Sequence, residues 1–250
     1  MKKIIVSSMF GLMCVTQFAV ADFIQKWTFD DPAGSSLLDA ASSGPLSVNG
    51  ANFTLTNAAT DGAGNLIVSN GLGAANISLA SQSITSGILS LEVKISGWDM
   101  ASAIPAGGGT TREKFNFMFQ GSGGTVNFQL FRMPDNKFDL RSFMTGGSYT
   151  VKTTVSNSVE FTMIVEFNID DGEWRIGYNT GADTVYDAWA TTPMANIGTF
   201  IISKEGEWND DDILKIDEIT LTHTIPEASS IQLILISCCA AVVIRKYRKK

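Results

Sequence analysis

Between residues 88 and 224 apolar and polar residues alternate with a period of two in one short stretch after another, the spacing of a strand with one buried face. In 88–96, Leu89, Leu91, Val93 and Ile95 share one face, while Ser90, Glu92 and Lys94 share the other. Phe115, Phe117 and Phe119 alternate in the same way with Lys114 and Asn116. After Gly121-Ser122-Gly123-Gly124 the pattern resumes in Val126, Phe128 and Leu130, which predicts a hairpin. Phe161, Met163, Val165 and Phe167 form a further strand that Asp170-Asp171-Gly172 turns into Trp174, Ile176 and Tyr178. Pairings are also expected over 185–190 and 197–202. In the last strand, 212–223, Leu214 and Ile216 are in phase but Ile219 and Leu221 fall one residue out of step, so a β-bulge near Asp217-Glu218 is needed to keep both pairs inward. No internal window carries a 3.6-residue period. The fold class that follows is all-β: a two-sheet antiparallel jelly-roll sandwich of about a dozen strands.

The two ends read differently. Lys2-Lys3 precedes an apolar run from Ile4 to Val20, and Ala19-Val20-Ala21 supplies the small-x-small pattern that signal peptidase reads. A signal helix over 1–21 with cleavage between Ala21 and Asp22 is expected. Cys14 follows Met13 rather than a small residue, which argues against a lipoprotein. At the other end an apolar run over 231–244 follows Pro226-Glu227-Ala228 and runs into Arg245-Lys246-Tyr247-Arg248-Lys249-Lys250. As a helix this run is about 21 Å long at 1.5 Å per residue. It can cross a hydrocarbon core of about 30 Å only with an added turn and snorkelling of its basic end. That end should stay cytoplasmic and leave residues 22–224 on the opposite side.

Composition sharpens the picture of that middle segment. It keeps 11 of the 18 basic residues and 24 of the 25 acidic ones, a balance of −13 against −7 for the whole chain. Such a surface repels nucleic acid. All three cysteines lie in the two ends, so 22–224 must hold together through its core alone, and it has no thiol nucleophile.

The C-terminal segment 225–250, with Pro226, Glu227 and Ala228 at its mouth, resembles the PEP-CTERM sorting signal of bacteria that have an exosortase. The resemblance implies a precursor held transiently in the inner membrane, cut by an exosortase-like enzyme and passed to the cell surface or extracellular matrix. A permanent anchor is the alternative. Within the body, Trp27-Thr28-Phe29-Asp30-Asp31, the hairpin from Val165 to Tyr178 and the closing Ile216-Asp217-Glu218-Ile219-Thr220-Leu221 look like the laminin-G/concanavalin-A-like lectin fold. That resemblance implies carbohydrate binding on a β-sandwich.

The Glu-x-Asp-x-x-Glu strand of laminarinase-like glycoside hydrolases does not occur. The nearest paired acids, Glu205 and Glu207, border a loop. His223 is the only histidine and lies next to the C-terminal segment, which leaves no triad chemistry and no histidine-rich zinc site. Calcium needs six to eight oxygens; Asp210, Asp211 and Asp212, joined by Asp30 and Asp31 if the first and last strands pair, are the candidate donors. Sugar binding needs an exposed aromatic ring with polar groups beside it. Phe131 shares its outward face with Asn127 and Gln129, and Trp98, Trp189 and Trp208 sit in or beside loops; Trp27 and Trp174 are in phase with the core. The expectation is an exported, non-catalytic, glycan-binding or exopolysaccharide-associated surface protein. Its rivals are a structural surface protein without ligand and a polysaccharide-degrading enzyme.

Overall fold

The computed structural model describes residues 19–34, 42–43, 58–68, 73–79, 84, 86–99, 114–133, 137–144, 149–156, 160–181, 183–192, 194, 197–205 and 213–226. The chain divides into two units, one of Ala21–Thr224 and one of Met1–Val20 with Ile225–Lys250. The expected signal helix up to residue 18 and the apolar run 231–244 lie outside the described residues. Among those described, no helix is long and apolar enough to cross a membrane.

The described residues form strands and turns only, in two antiparallel sheets. Six strands make one sheet: β5 (Gly73–Ser78), β7 (Lys114–Gly121), β8 (Gly124–Met133), β9 (Lys137–Met144), β10 (Thr150–Ser156) and β15 (Thr199–Glu205). Their order is β10-β9-β8-β7-β15-β5. The other sheet contains β1 (Ala19–Thr28), β2 (Ser42–Ser43), β6 (Ile88–Asp99), β11 (Phe161–Asn168), β12 (Glu173–Asn179), β13 (Thr184–Tyr186) and β16 (Ile213–Pro226), in the order β13-β12-β11-β6-β16-β1-β2. To it are added β14 (Ala190–Thr191) on β12, β4 (Leu66–Val68) on β16 and β3 (Ala58–Thr60) on β4. The first and last long strands are neighbours in this sheet.

The inward rows predicted by alternation are the rows that are buried. Leu89, Leu91, Val93 and Ile95 of β6 and Phe161, Met163, Val165 and Phe167 of β11 lie in the core with Phe115, Phe117, Phe119, Phe128 and Leu130 of the facing sheet. The Trp27 and Phe200 rings meet across the sheets at 6.5 Å. Gly121 pairs with Gly124, so β7 and β8 are joined by the two-residue turn Ser122-Gly123, with Gly123 at φ 94. The second hairpin turns at Gly172, φ 63.

The bulge near Asp217 is present. The β16–β6 register slips between Ile216 and Glu218, which leaves Asp217 unpaired and returns Ile219 and Leu221 to the core. A second slip on the same ladder, where Lys215 pairs with Gly97 and Ile216 with Ile95, leaves Ser96 as the extra residue of β6. It has a consequence the sequence pattern hides. The inward phase of β6 steps from Ile95 to Trp98, so Trp98 is 2 % exposed rather than placed on a loop. Its ring stands edge-on to Phe138 at 5.0 Å and to Phe161 at 5.8 Å. The pairing expected over 185–190 is likewise broken in two, β13 and β14, with the Asp187 N–H donating to the Ile176 carbonyl between them.

Because Trp98 joins aromatic rings from both sheets, Trp98→Ala is expected to cost about 3–5 kcal/mol of stability. Urea unfolding followed by circular dichroism measures this as a lowered midpoint, whereas Trp189→Ala, at a half-buried site, should move it far less.

Candidate functional site

The outward face of the six-stranded sheet carries a polar array that the register arranges in rows. Ser203 pairs with Asn116, Asn116 with Gln129 and Gln129 with Arg141, so four adjacent strands place these side chains abreast. One step along each strand, Glu205, Lys114, Phe131 and Asp139 form a parallel row. Met118, Asn127 and Phe143 form a third. These residues are the alternates of Phe117, Phe128 and Leu140, which point into the core; one period-2 pattern builds both faces.

The array is tied together by hydrogen bonds. Asn116 Nδ2 donates to Ser203 Oγ at 3.0 Å and to Glu205 Oε1 at 2.9 Å, while its Oδ1 accepts from Gln129 Nε2. Lys114 Nζ lies 2.7 Å from Glu205 Oε2. Asp139 accepts from Arg141 Nη2 at 2.9 Å and from Thr154 Oγ1 at 2.7 Å. The Arg141 guanidinium lies 3.6 Å from the Phe131 ring centroid, a cation–π contact. Phe143 stacks on the exposed Tyr149 at 4.8 Å. Three groups in the array stay unmatched among the described residues: the carbonyl oxygens of Asn127 and Gln129 and the Nε of Arg141, all buried. Polar atoms out of water without a partner are costly, and two acceptors beside one donor complement a row of hydroxyl groups.

Asn127, Gln129 and Phe131 therefore do share an outward face, but the two amides are only 3 % exposed each and the ring lies against Arg141. Trp98 is in the core and offers no surface for a sugar. Trp189 belongs to the other sheet, where its ring and that of Tyr186 lie 4.5 Å and 4.1 Å from the Arg175 guanidinium, which Glu166 also holds. Tyr186 can lie on the sheet because residue 177 is glycine; a Cβ there would come within 2.6 Å of the ring. Trp208, Asp210, Asp211, Asp212, Glu207, Glu227 and Ala228 fall outside the described residues. Ala19 and Ala21 lie in β1, and Pro226 ends β16. Asn116, Ser203, Asp139 and Arg141 are members of the array that a search for exposed aromatics passes over. Alternation could have found the last two, since Asp139, Arg141 and Phe143 interleave with Phe138 and Leu140.

The array contains two carboxylates, Asp139 and Glu205, three strands apart. At roughly 4.8 Å per strand that is about 14 Å, beyond the separations of about 5–9.5 Å used by paired glycosidase carboxylates. For a cation, Asp30 Oδ1 would lie 3.5 Å from a Cβ on Gly64 and so borders the loop 61–65. There the Asp61 carboxylate is already taken by the N–H groups of Ala63 and Asn65 and by Asn65 Nδ2. No three acidic, histidine or cysteine side chains converge to hold a metal among the described residues.

No family model matches the chain, and no curated protein does. Solved structures similar to it include an endo-1,3-beta-glucanase from Streptomyces sioyaensis, at 16% identity, TM-score 0.47, covering 83% of this chain and 95% of that one. A winged bean acidic lectin complexed with methyl-alpha-D-galactose is similar at 9% identity, TM-score 0.47, covering 80% and 98%. Peanut lectin is similar at 10% identity, TM-score 0.42, covering 81% and 98%.

On the outward face of the ten-stranded sheet, Glu92, Glu166 and Glu218 come from the adjacent strands β6, β11 and β16. Partial burial first, and the Glu166 and Glu218 carboxylates second, push the Glu92 carboxyl above its ordinary value. The folded chain thus holds this proton to higher pH than the unfolded one, and the ionised carboxylate costs stability at neutral pH. That cost disappears as pH falls through the raised value. Glu92→Gln is expected to raise the melting temperature at neutral pH, with the gain shrinking toward zero in an acid series of thermal melts.

Proposed function

We propose that this chain is exported, sorted by an exosortase-type system to the cell surface or extracellular matrix, and binds glycan through the polar face of its six-stranded sheet without catalysing its breakdown. In this reading residues 22–224 are a lectin-like jelly roll, and extracellular polysaccharide is the partner. Signal peptidase and an exosortase-like enzyme process the two ends. The observation that carries the binding role is the set of buried, unmatched polar atoms on Asn127, Gln129 and Arg141, held beside the Phe131 ring by a hydrogen-bonded array. A sugar hydroxyl both donates and accepts, which is the chemistry these three atoms call for once their side chains turn toward a ligand. Separation of Asp139 from Glu205 favours binding over hydrolysis. A role as an enzyme, or as a structural surface protein without ligand, predicts different results in the same assay.

A glycan array probed with the full chain in detergent is expected to show binding to neutral or acidic polysaccharides, without release of reducing ends. Arg141→Ala and Gln129→Ala are each expected to weaken it about tenfold, the cost of one good polar contact. Silence across the array would favour the structural role, and reducing-end release would favour the enzyme. Sorting is checked separately by mass spectrometry of the chain recovered from its native cells, where the mature C-terminus is expected near Pro226-Glu227. An intact Lys250 would mean a permanent anchor.

A further inference from the structure

At the side of the sandwich where β10 edges one sheet and β12 with β14 borders the other, the two sheets stand apart over a cleft of about 340 Å³. Its lining includes Ser142, Thr150 and Lys152 from the six-stranded sheet and Trp174, Asp187 and Ala190 from the ten-stranded one. Lys152 is the extra residue at a slip in the β10–β9 register, between Val151 and Thr153. This bulge re-aims its side chain across the gap, where it pairs with Asp187. Trp174 lies in the core at 8 % exposure, yet its indole N–H is a buried donor that meets no acceptor among the described residues. Arg175 also borders the cleft, but its guanidinium is taken by Glu166, Tyr186 and Trp189.

We infer that this inter-sheet cleft is a second ligand site, separate from the polar face, and that it takes one neutral pyranose unit. Its volume falls within the range of about 300–1,000 Å³ typical of small-molecule sites. The indole N–H needs an acceptor. Lys152 and Asp187 neutralise each other across the cleft and Arg175 is neutralised by Glu166, so a carboxylate would meet Asp187 and an ammonium would meet Lys152. A hydroxyl meets neither objection. It accepts from the indole N–H or from Lys152 and donates its own proton to Asp187, while Ile176 and Ala190 offer apolar wall to the C–H face of the ring.

The test is a titration of the full chain, labelled with 15N-tryptophan, with D-glucose, D-galactose and D-mannose in turn and with D-glucuronate as the charged comparison. The Trp174 indole cross-peak is assigned by its loss in Trp174→Phe, which keeps the aromatic ring and removes the N–H. This cross-peak is expected to move saturably with at least one neutral sugar and not with glucuronate. Lys152→Met is expected to raise the fitted Kd tenfold or more. An indole signal unmoved by all three sugars, an equal response to glucuronate, or a Kd fitted from the indole shift that is unchanged in Lys152→Met would overturn the inference. Because the readout is the Trp174 signal itself, it stands or falls separately from binding at the polar face.

Discussion

One apolar row per strand, pressed against the opposite sheet, is the constraint from which the rest follows. Phe117 pairs with Phe128 and Ile202, and Phe119 with Val126 and Phe200, so the facing layer is aromatic across three strands. A slip of one residue in any of these ladders would turn a phenylalanine row to the outside and bring Asn116 or Gln129 into the core, so the register is fixed by burial. The segment 22–224 contains no cysteine, hence no disulfide shares this task. The two faces of the six-stranded sheet are therefore one decision. Whatever holds Phe128 inward also holds Asn127 and Gln129 outward.

Strands with strict alternation were legible for that reason. Those running from 88, 114, 124, 161 and 173 can be read from the sequence, as can both hairpin turns, because period two and a glycine at positive φ are local signals. The Asp217 bulge was legible because two apolar pairs stood out of phase on a single strand. The Ser96 bulge was not: only Trp98 lies beyond it, and one tryptophan followed by polar residues carries no phase. Sequence alone therefore leaves Trp98 beside a loop, whereas the shifted register makes it a core ring between Phe138 and Phe161. Strands β9 and β10 were less visible, since Thr150–Ser156 is mostly polar and the apolar phase of Lys137–Met144 is interrupted by Ser142.

The candidate site was legible in part, for a related physical reason. Phe131 with Asn127 and Gln129 could be placed on one face from spacing alone. That Asn116, Ser203 and Glu205 complete the row depends on which strands are neighbours. β15 lies far along the sequence from β7 but beside it in the sheet, and nothing local announces that pairing. Trp189, an aromatic ring beside a loop in the sequence, is placed by the fold over the other sheet, stacked on Arg175. Aromatic residues report burial potential well and location poorly, whereas polar residues in alternation report location once the strand order is known.

The arrangement also bears on binding against hydrolysis. A hydrolase needs two carboxylates held at a set distance across one bond, a demand on two particular positions. The polar face has its acids at opposite sides of a four-strand row, each already neutralised by a base, Glu205 by Lys114 and Asp139 by Arg141. Between them stand amides and a ring, groups that take up hydroxyls without changing a bond. Outward residues on neighbouring strands recur about every 4.8 Å across the sheet and about 6.8 Å along it, which makes the face a lattice of polar groups rather than a single catalytic point. Since side chains on the two faces point opposite ways, a substitution on this lattice leaves the phenylalanine layer beneath it intact. The groups on such a lattice can therefore change without changing the fold that carries them, because the register is held by the opposite face.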